Sequence, residues 1–306
     1  MMALRNWIFA LLVCMSGLAA AQTEDPEREG GILGTGIRDT GIIGTITHLG
    51  SIIVNEQRIR FAPDLPIVDG VSVVRADGLL PGHIVAVIAA RDGQDWQAVQ
   101  IRQVVALAGP LQVSDDGGLR VLGTRVLYDG EIGELRQGDW VIISGLWRSD
   151  QVIATRIEAA TGSGNHQARI EGSILTLDED APLRVGTTQI LGLRPRHLDP
   201  GDVVRITGTP QADGIAVATL ETGVFDAAPG VILAEGYLSP PQEKGLYTVL
   251  GANIVSFTDN PGMIDPLVRQ LACETGGQLA AMIARDEPGD VGFAELSECL
   301  PQDARE

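Results

Sequence analysis

Ile42-Ile43-Gly44-Thr45-Ile46, Leu107-Ala108-Gly109-Pro110-Leu111, Ile170-Glu171-Gly172-Ser173-Ile174 and Ala234-Glu235-Gly236-Tyr237-Leu238 are four versions of one short apolar strand, each split by a glycine. The glycines stand 65, 63 and 64 residues apart. A fixed period of this length means that one structural unit recurs four times.

Working outward from each glycine, the same elements follow in the same order. A first turn comes at His48-Leu49-Gly50, Asp115-Asp116-Gly117-Gly118, Asp178-Glu179-Asp180 or Pro240-Pro241-Gln242. The return strand covers 51–61, 118–128, 183–190 or 246–257 and breaks at a second turn, marked by Gly123, Gly186 or Gly251. Glycine there permits a tight hairpin or a bulge. The first unit uses Val54-Asn55-Glu56, where asparagine tolerates the same backbone. Gly82, Gly138, Gly201 and Gly277 then open the next strand, and 98–104, 152–158, 217–221 and 293–297 close each unit. Five or six short strands per unit, rich in β-branched residues and separated by glycine turns, predict a small closed barrel.

The expected fold is therefore all-β, with four tandem small OB-like β-barrels. The boundaries read as a signal peptide at 1–21, an acidic glycine-rich segment at 22–40, and barrels at 41–104 and 105–158. A linker at 159–167, a barrel at 168–223, a linker at 224–230 and a barrel at 231–306 complete the chain. Two inserts stand out, 62–81 in the first unit and 258–276 in the fourth. In the latter, Ile264, Leu267, Val268 and Leu271 have the spacing of an amphipathic helix. Cys273 ends that predicted helix, and a disulfide to Cys299 would pin it to the last barrel.

The N-terminus reads as an export signal. Arg5 precedes an apolar run from Trp7 to Leu18, and Ala19-Ala20-Ala21 offers a cleavage point before Gln22. The run is too short to span a bilayer, which takes about 20 residues. Val13 before Cys14 argues against a lipoprotein. The expected location is periplasmic or secreted. With 22 basic against 40 acidic residues the net charge is −18, and the basic footprint of a nucleic-acid binder is missing.

The segment Gly41-Ile-Ile-Gly-Thr-Ile-Thr-His-Leu-Gly-Ser-Ile-Ile-Val-Asn55 resembles the opening of a bacterial family of secreted, repeated small β-barrel domains of unknown function. Gly138-Asp139, Gly201-Asp202, Ile153-Ala154-Thr155-Arg156-Ile157 and Val217-Ala218-Thr219-Leu220 extend the likeness through units one to three. His48-Leu49 and Glu56 depart from the family pattern. The resemblance implies an exported barrel array and carries over no catalytic or binding residue.

The chemistry of the residues points the same way. His48, His83, His166 and His197 fall singly, with no metal-ligand spacing. No nucleophile elbow or phosphate loop is present, and the acidic turns lack the alternation of a calcium loop. No cofactor, metal or catalytic residue is expected. The expected role is a non-enzymatic binding or scaffold protein of the bacterial envelope, meeting a protein partner through its loops, with 62–81 and 258–276 foremost. The alternative is a periplasmic binder of an oligosaccharide or another small envelope ligand, and an enzyme with a dispersed site is the remaining one. Trp96 and Trp147 flank equivalent hairpins and read as core or inter-unit contacts, with ligand stacking the alternative; Trp140 reads as a core residue, and Arg194, Arg196 and His197 as a candidate anion contact.

Overall fold

A computed structural model describes residues 39–285 apart from 94, 116, 161–165, 179–180 and 194–196. The first unit contains β1 (Thr40–His48), β2 (Ile52–Val54), β3 (Gln57–Arg60), β4 (Ile67–Val68), β5 (Ile84–Asp92) and β6 (Asp95–Val104). Antiparallel ladders join β1 to β2, β2 to β3, β5 to β6 and β1 to β5, and a parallel ladder joins β3 to β6. The five strands thus close on themselves, which leaves no strand of the ring unpaired. Ile42, Ile52, Ile59, Val87, Trp96 and Ile101 fill the interior.

The second unit repeats the ring with β7 (Leu107–Val113), β8 (Leu119–Val121), β9 (Thr124–Leu127), β10 (Trp140–Arg148) and β11 (Gln151–Ala159). Its ladders run β7–β8–β9, then parallel to β11, then antiparallel through β10 back to β7. The third unit has β12 (Ala168–Ser173), β13 (Arg184–Val185), β14 (Thr188–Leu191), β15 (Val203–Gln211) and β16 (Gly214–Thr222) in the same order. Among the described residues no ladder joins β13 to β12, so this ring is open. The fourth has β17 (Val231–Tyr237), β18 (Leu246–Val249), β19 (Ile254–Phe257), β20 (Arg269–Thr275) and β21 (Gln278–Arg285). There β18 and β19 form a separate hairpin, linked to the β17 chain by a single bridge between Leu238 and Val249.

The repeated glycine has a steric cause. A Cβ on Gly44 would lie 2.4 Å from Asn55 Oδ1, and one on Gly172 would lie 2.7 Å from both Trp147 Nε1 and Val185 Cγ1. The same strand position in every unit is crossed by the second turn. That turn matches its sequence signal: Asn55 and Glu56, like Leu122 and Gly123, have positive φ, as a tight hairpin demands.

Two expectations change. Residues 264–271 do not form a helix; only a single 3-10 turn stands at Pro261–Met263, and β20 starts at Arg269. Pro266 lacks an N–H, and a residue preceding proline avoids helical backbone, so the helical spacing cannot be realised. Asp265 Oδ1 instead accepts a bond from the Leu267 N–H at 2.9 Å. Gly277 accordingly sits in the β20–β21 hairpin rather than at a strand start, and the fourth unit has no long insert. Its connection, 258–268, matches 128–139 and 192–202 in the middle units. Cys273 lies in mid-strand, fully buried opposite Leu233. Cys299, the segments 1–21 and 22–38, and the strand expected at 293–297 lie outside the described residues.

The units do not follow one another in a line. β1 pairs in parallel with β17, so the first unit shares a sheet with the fourth. β7 pairs antiparallel with β12, so the second shares one with the third. The segment 224–230 is held in place: Val224 is 2% exposed, and the Gly230 N–H reaches the Asp39 carbonyl at 3.1 Å.

Candidate functional site

Alternation along β12 places Ile170 in the third unit's core and puts Arg169 and Glu171 on the outer face. Cross-strand register sets Arg205 opposite Glu171 and Thr207 opposite Arg169. On a lone barrel such a face meets water. Here the first unit covers it. Arg102, projecting from β6, is 3% exposed and grips Glu171 with both ends of its guanidinium, Nη1 to Oε2 at 2.9 Å and Nη2 to Oε1. Its Nε donates to the Val224 carbonyl at 2.9 Å. Burial lowers the Arg102 pKa, but the attraction and hydrogen bond of Glu171, with the charges of Asp69 and Asp226, outweigh it and leave the pKa raised.

The 62–81 insert feeds the same cluster. Ile67, Val73, Ala76 and Leu79 are buried in the first core, and β4 pairs with β6. Gln103 fixes the loop, its Oε1 accepting from the N–H groups of Val71 and Ser72 at 2.9 and 3.1 Å. Asp69, at a positive φ of 52°, thereby reaches across to Arg205 at 2.5 Å and Arg169 at 3.6 Å. Ile67, Val73, Ala76 and Leu79 of this expected contact loop face inward, while Val71, Val74 and Leu80 are exposed.

Trp147 and Trp96 are both interior. Trp147 is 4% exposed and donates its indole N–H to the Glu171 carbonyl at 2.6 Å, wedged between the second and third units. Trp96 is 2% exposed and bonds Gln57 Oε1 at 3.0 Å inside the first ring. Neither presents a face to a ligand. His197 is exposed, while Arg194 and Arg196 lie outside the described residues. Trp140 is half-buried at the surface, its ring 5.2 Å from that of His166.

His83 and Glu158 join the first and second units. The fully buried His83 accepts the Leu80 N–H on Nδ1 at 3.1 Å, so Nε2 carries the proton and donates to Glu158 at 2.8 Å. Burial raises the Glu158 pKa, yet the hydrogen bonds of His83 and Arg156 and the Arg156 charge prevail and hold it at about 2. A folded-state value below the unfolded one gives stability that is present above pH 4.5 and lost as pH falls toward 2. Glu158→Gln is expected to remove about 2 kcal/mol of that dependence, allowing for partial solvent access. Denaturant midpoints at pH 6 and pH 3 measure it; an unchanged difference between them would refute the assignment.

Three spaces stand out among the described residues. A cavity of about 20 Å³, room for one water, lies where Ile43, Leu146, Glu171 and Glu235 from the four units converge. A cleft of about 440 Å³ lies beside Ser173, Pro182, Arg184 and Pro240. Another, of about 320 Å³, is lined by Val71, Ala108, Trp140, Ile142, Arg169 and Thr207 among others. Among the described residues no group of three or more His, Cys, Asp and Glu side chains is placed to hold a metal ion. Nor is any helix there long and apolar enough to cross a membrane.

The family model of a domain of unknown function, DUF5666, matches residues 108–158. That span is the second ring, from within β7 to near the end of β11. No curated protein and no solved structure matches the chain.

Proposed function

We propose that this chain is an exported, non-catalytic binding protein of the bacterial envelope, four tandem OB-like barrels locked into one body that holds a protein partner on its fourth unit. The strand order supports the barrel reading: in units one to three the third strand runs parallel to the last, as in an OB-like barrel. Polar side chains between the units engage one another or the backbone: Arg102 meets Glu171, Arg205 meets Asp69, and Glu235 accepts the Thr45 N–H.

One observation carries the partner surface. Phe257, at the end of β19, and Met263 and Leu267, in the connection that follows, are 69%, 77% and 66% exposed. Large apolar side chains that far from the core contribute nothing to the chain's own burial, and when grouped along one stretch of chain they mark a contact surface. The net charge of −18 favours a partner with a basic face.

Immobilised protein is expected to retain a saturable envelope partner. The triple variant Phe257→Ser, Met263→Ser, Leu267→Ser is expected to lose it by at least about tenfold in affinity, since side chains of this kind dominate such contacts. Equal retention by the variant would overturn the reading. Export also predicts a mature N-terminus at Gln22 and a Cys273–Cys299 bridge. Edman sequencing and peptide mapping without reductant test these two points.

A further inference from the structure

We propose that the 320 Å³ cleft over the seam of the second and third units binds one neutral sugar ring. This rests on reading the chain as a binding protein and adds a second, small-molecule site to it.

The floor is built by register across four adjacent strands. Ile142 on β10 lies opposite Ala108 on β7, Ala108 opposite Arg169 on β12, and Arg169 opposite Thr207 on β15. Neither unit alone makes this row; the β7–β12 ladder creates it. Depth comes from Ala108, which stands where the other units carry Ile43, Glu171 and Glu235. Trp140, two residues before Ile142 on the same face, stands at one end against His166. Gly70 and Val71 of the first unit form a wall, Gln167 supplies an amide, and the Thr207 hydroxyl, paired with Thr219 Oγ1 at 2.6 Å, keeps a further lone pair for a ligand hydroxyl.

An indole beside small apolar side chains, with donors and acceptors at the other end, suits a ring that has a C–H face and a hydroxyl edge. The volume is at the small end of ligand pockets, fitting a single ring rather than a chain. The charges select a neutral one. Arg169 belongs to a cluster in which Arg102, Arg169 and Arg205 face four carboxylates, Asp69, Glu171, Glu221 and Asp226, so a carboxylate on the ligand would join a group whose negative charges already outnumber the positive ones.

The test is a titration of the full chain with methyl glucoside, galactose, N-acetylglucosamine and glucuronate, followed by tryptophan emission and calorimetry. Of the four tryptophans, Trp7 falls in the expected signal segment and Trp96 and Trp147 are buried, so Trp140, which lines the cleft, reports it. At least one neutral sugar is expected to bind saturably, more tightly than glucuronate. Ala108→Leu, which fills the floor, and Thr207→Val, which keeps strand shape, are each expected to weaken binding about tenfold or more. Thr207→Val serves if Ala108→Leu fails to fold. No saturable response, tighter binding of glucuronate, or unaltered affinity in the folded variants would overturn the site. Thr207→Val is expected to keep its envelope partner, so failure here is distinguishable from failure of the surface at 257–267.

Discussion

Glu171→Ala is expected to destabilise the protein by about 3–5 kcal/mol, because it leaves the Arg102 guanidinium buried without its carboxylate partner. The reciprocal change, Arg102→Ala, should cost a similar amount by stranding Glu171, which is 2% exposed. Replacing both with apolar residues of similar size, Arg102→Met with Glu171→Leu, should recover much of the loss, because neither charge then has to be desolvated. Paired denaturation curves of the three variants decide the matter. A single variant within about 1 kcal/mol of the parent would mean that water reaches the pair and solvates it. Salt should matter little, since buried pairs are poorly screened. What is being measured is the coupling between units: Arg102 belongs to the first, Glu171 to the third, and the carbonyl of Val224 to the segment leading to the fourth.

The second large effect is expected from Trp147→Ala, at about 3–5 kcal/mol. The indole packs where a Cβ on Gly172 or Gly186 would lie within 2.7 and 2.4 Å of it, so both glycines leave space that only this side chain fills. Truncation opens a cavity at the seam and removes the indole N–H that donates to the Glu171 carbonyl. Trp147→Phe should show an intermediate loss, keeping some volume and forfeiting the bond. Because the wedge lies between units, Trp147→Ala should also broaden the unfolding transition. Trp96→Ala, inside the first ring, should lower stability without that change. Unfolding of Trp147→Ala as sharp as that of the parent would refute a wedge role.

The four-fold period, and strand order and turn positions in the first three units, were legible in the sequence because each depends on neighbours close along the chain; in the fourth, the strand after Gly277 is the fifth and not the fourth. The glycine of each first strand and the positive-φ residues of each second turn are local requirements, and the structure meets them where they were expected. The helix predicted from Ile264, Leu267, Val268 and Leu271 failed for an equally local reason, Pro266, which outweighs apolar spacing. An aromatic beside a hairpin reads the same whether its outer side meets water or another unit, so the sequence left Trp96 and Trp147 open between packing and ligand stacking.

What the sequence determined by itself was therefore the repeated unit and which face of each strand turns inward. Alternation in Arg169-Ile170-Glu171 separates core from outer face and says nothing about what covers the outer face. Only the tertiary structure decided that Glu171 would be buried, that Arg102 would meet it, and that Ile142, Ala108, Arg169 and Thr207 would line one floor. Those relations join residues tens of positions apart, through the β1–β17 and β7–β12 ladders. A pattern of period two carries no information about which distant backbone will pair at a strand's free edge.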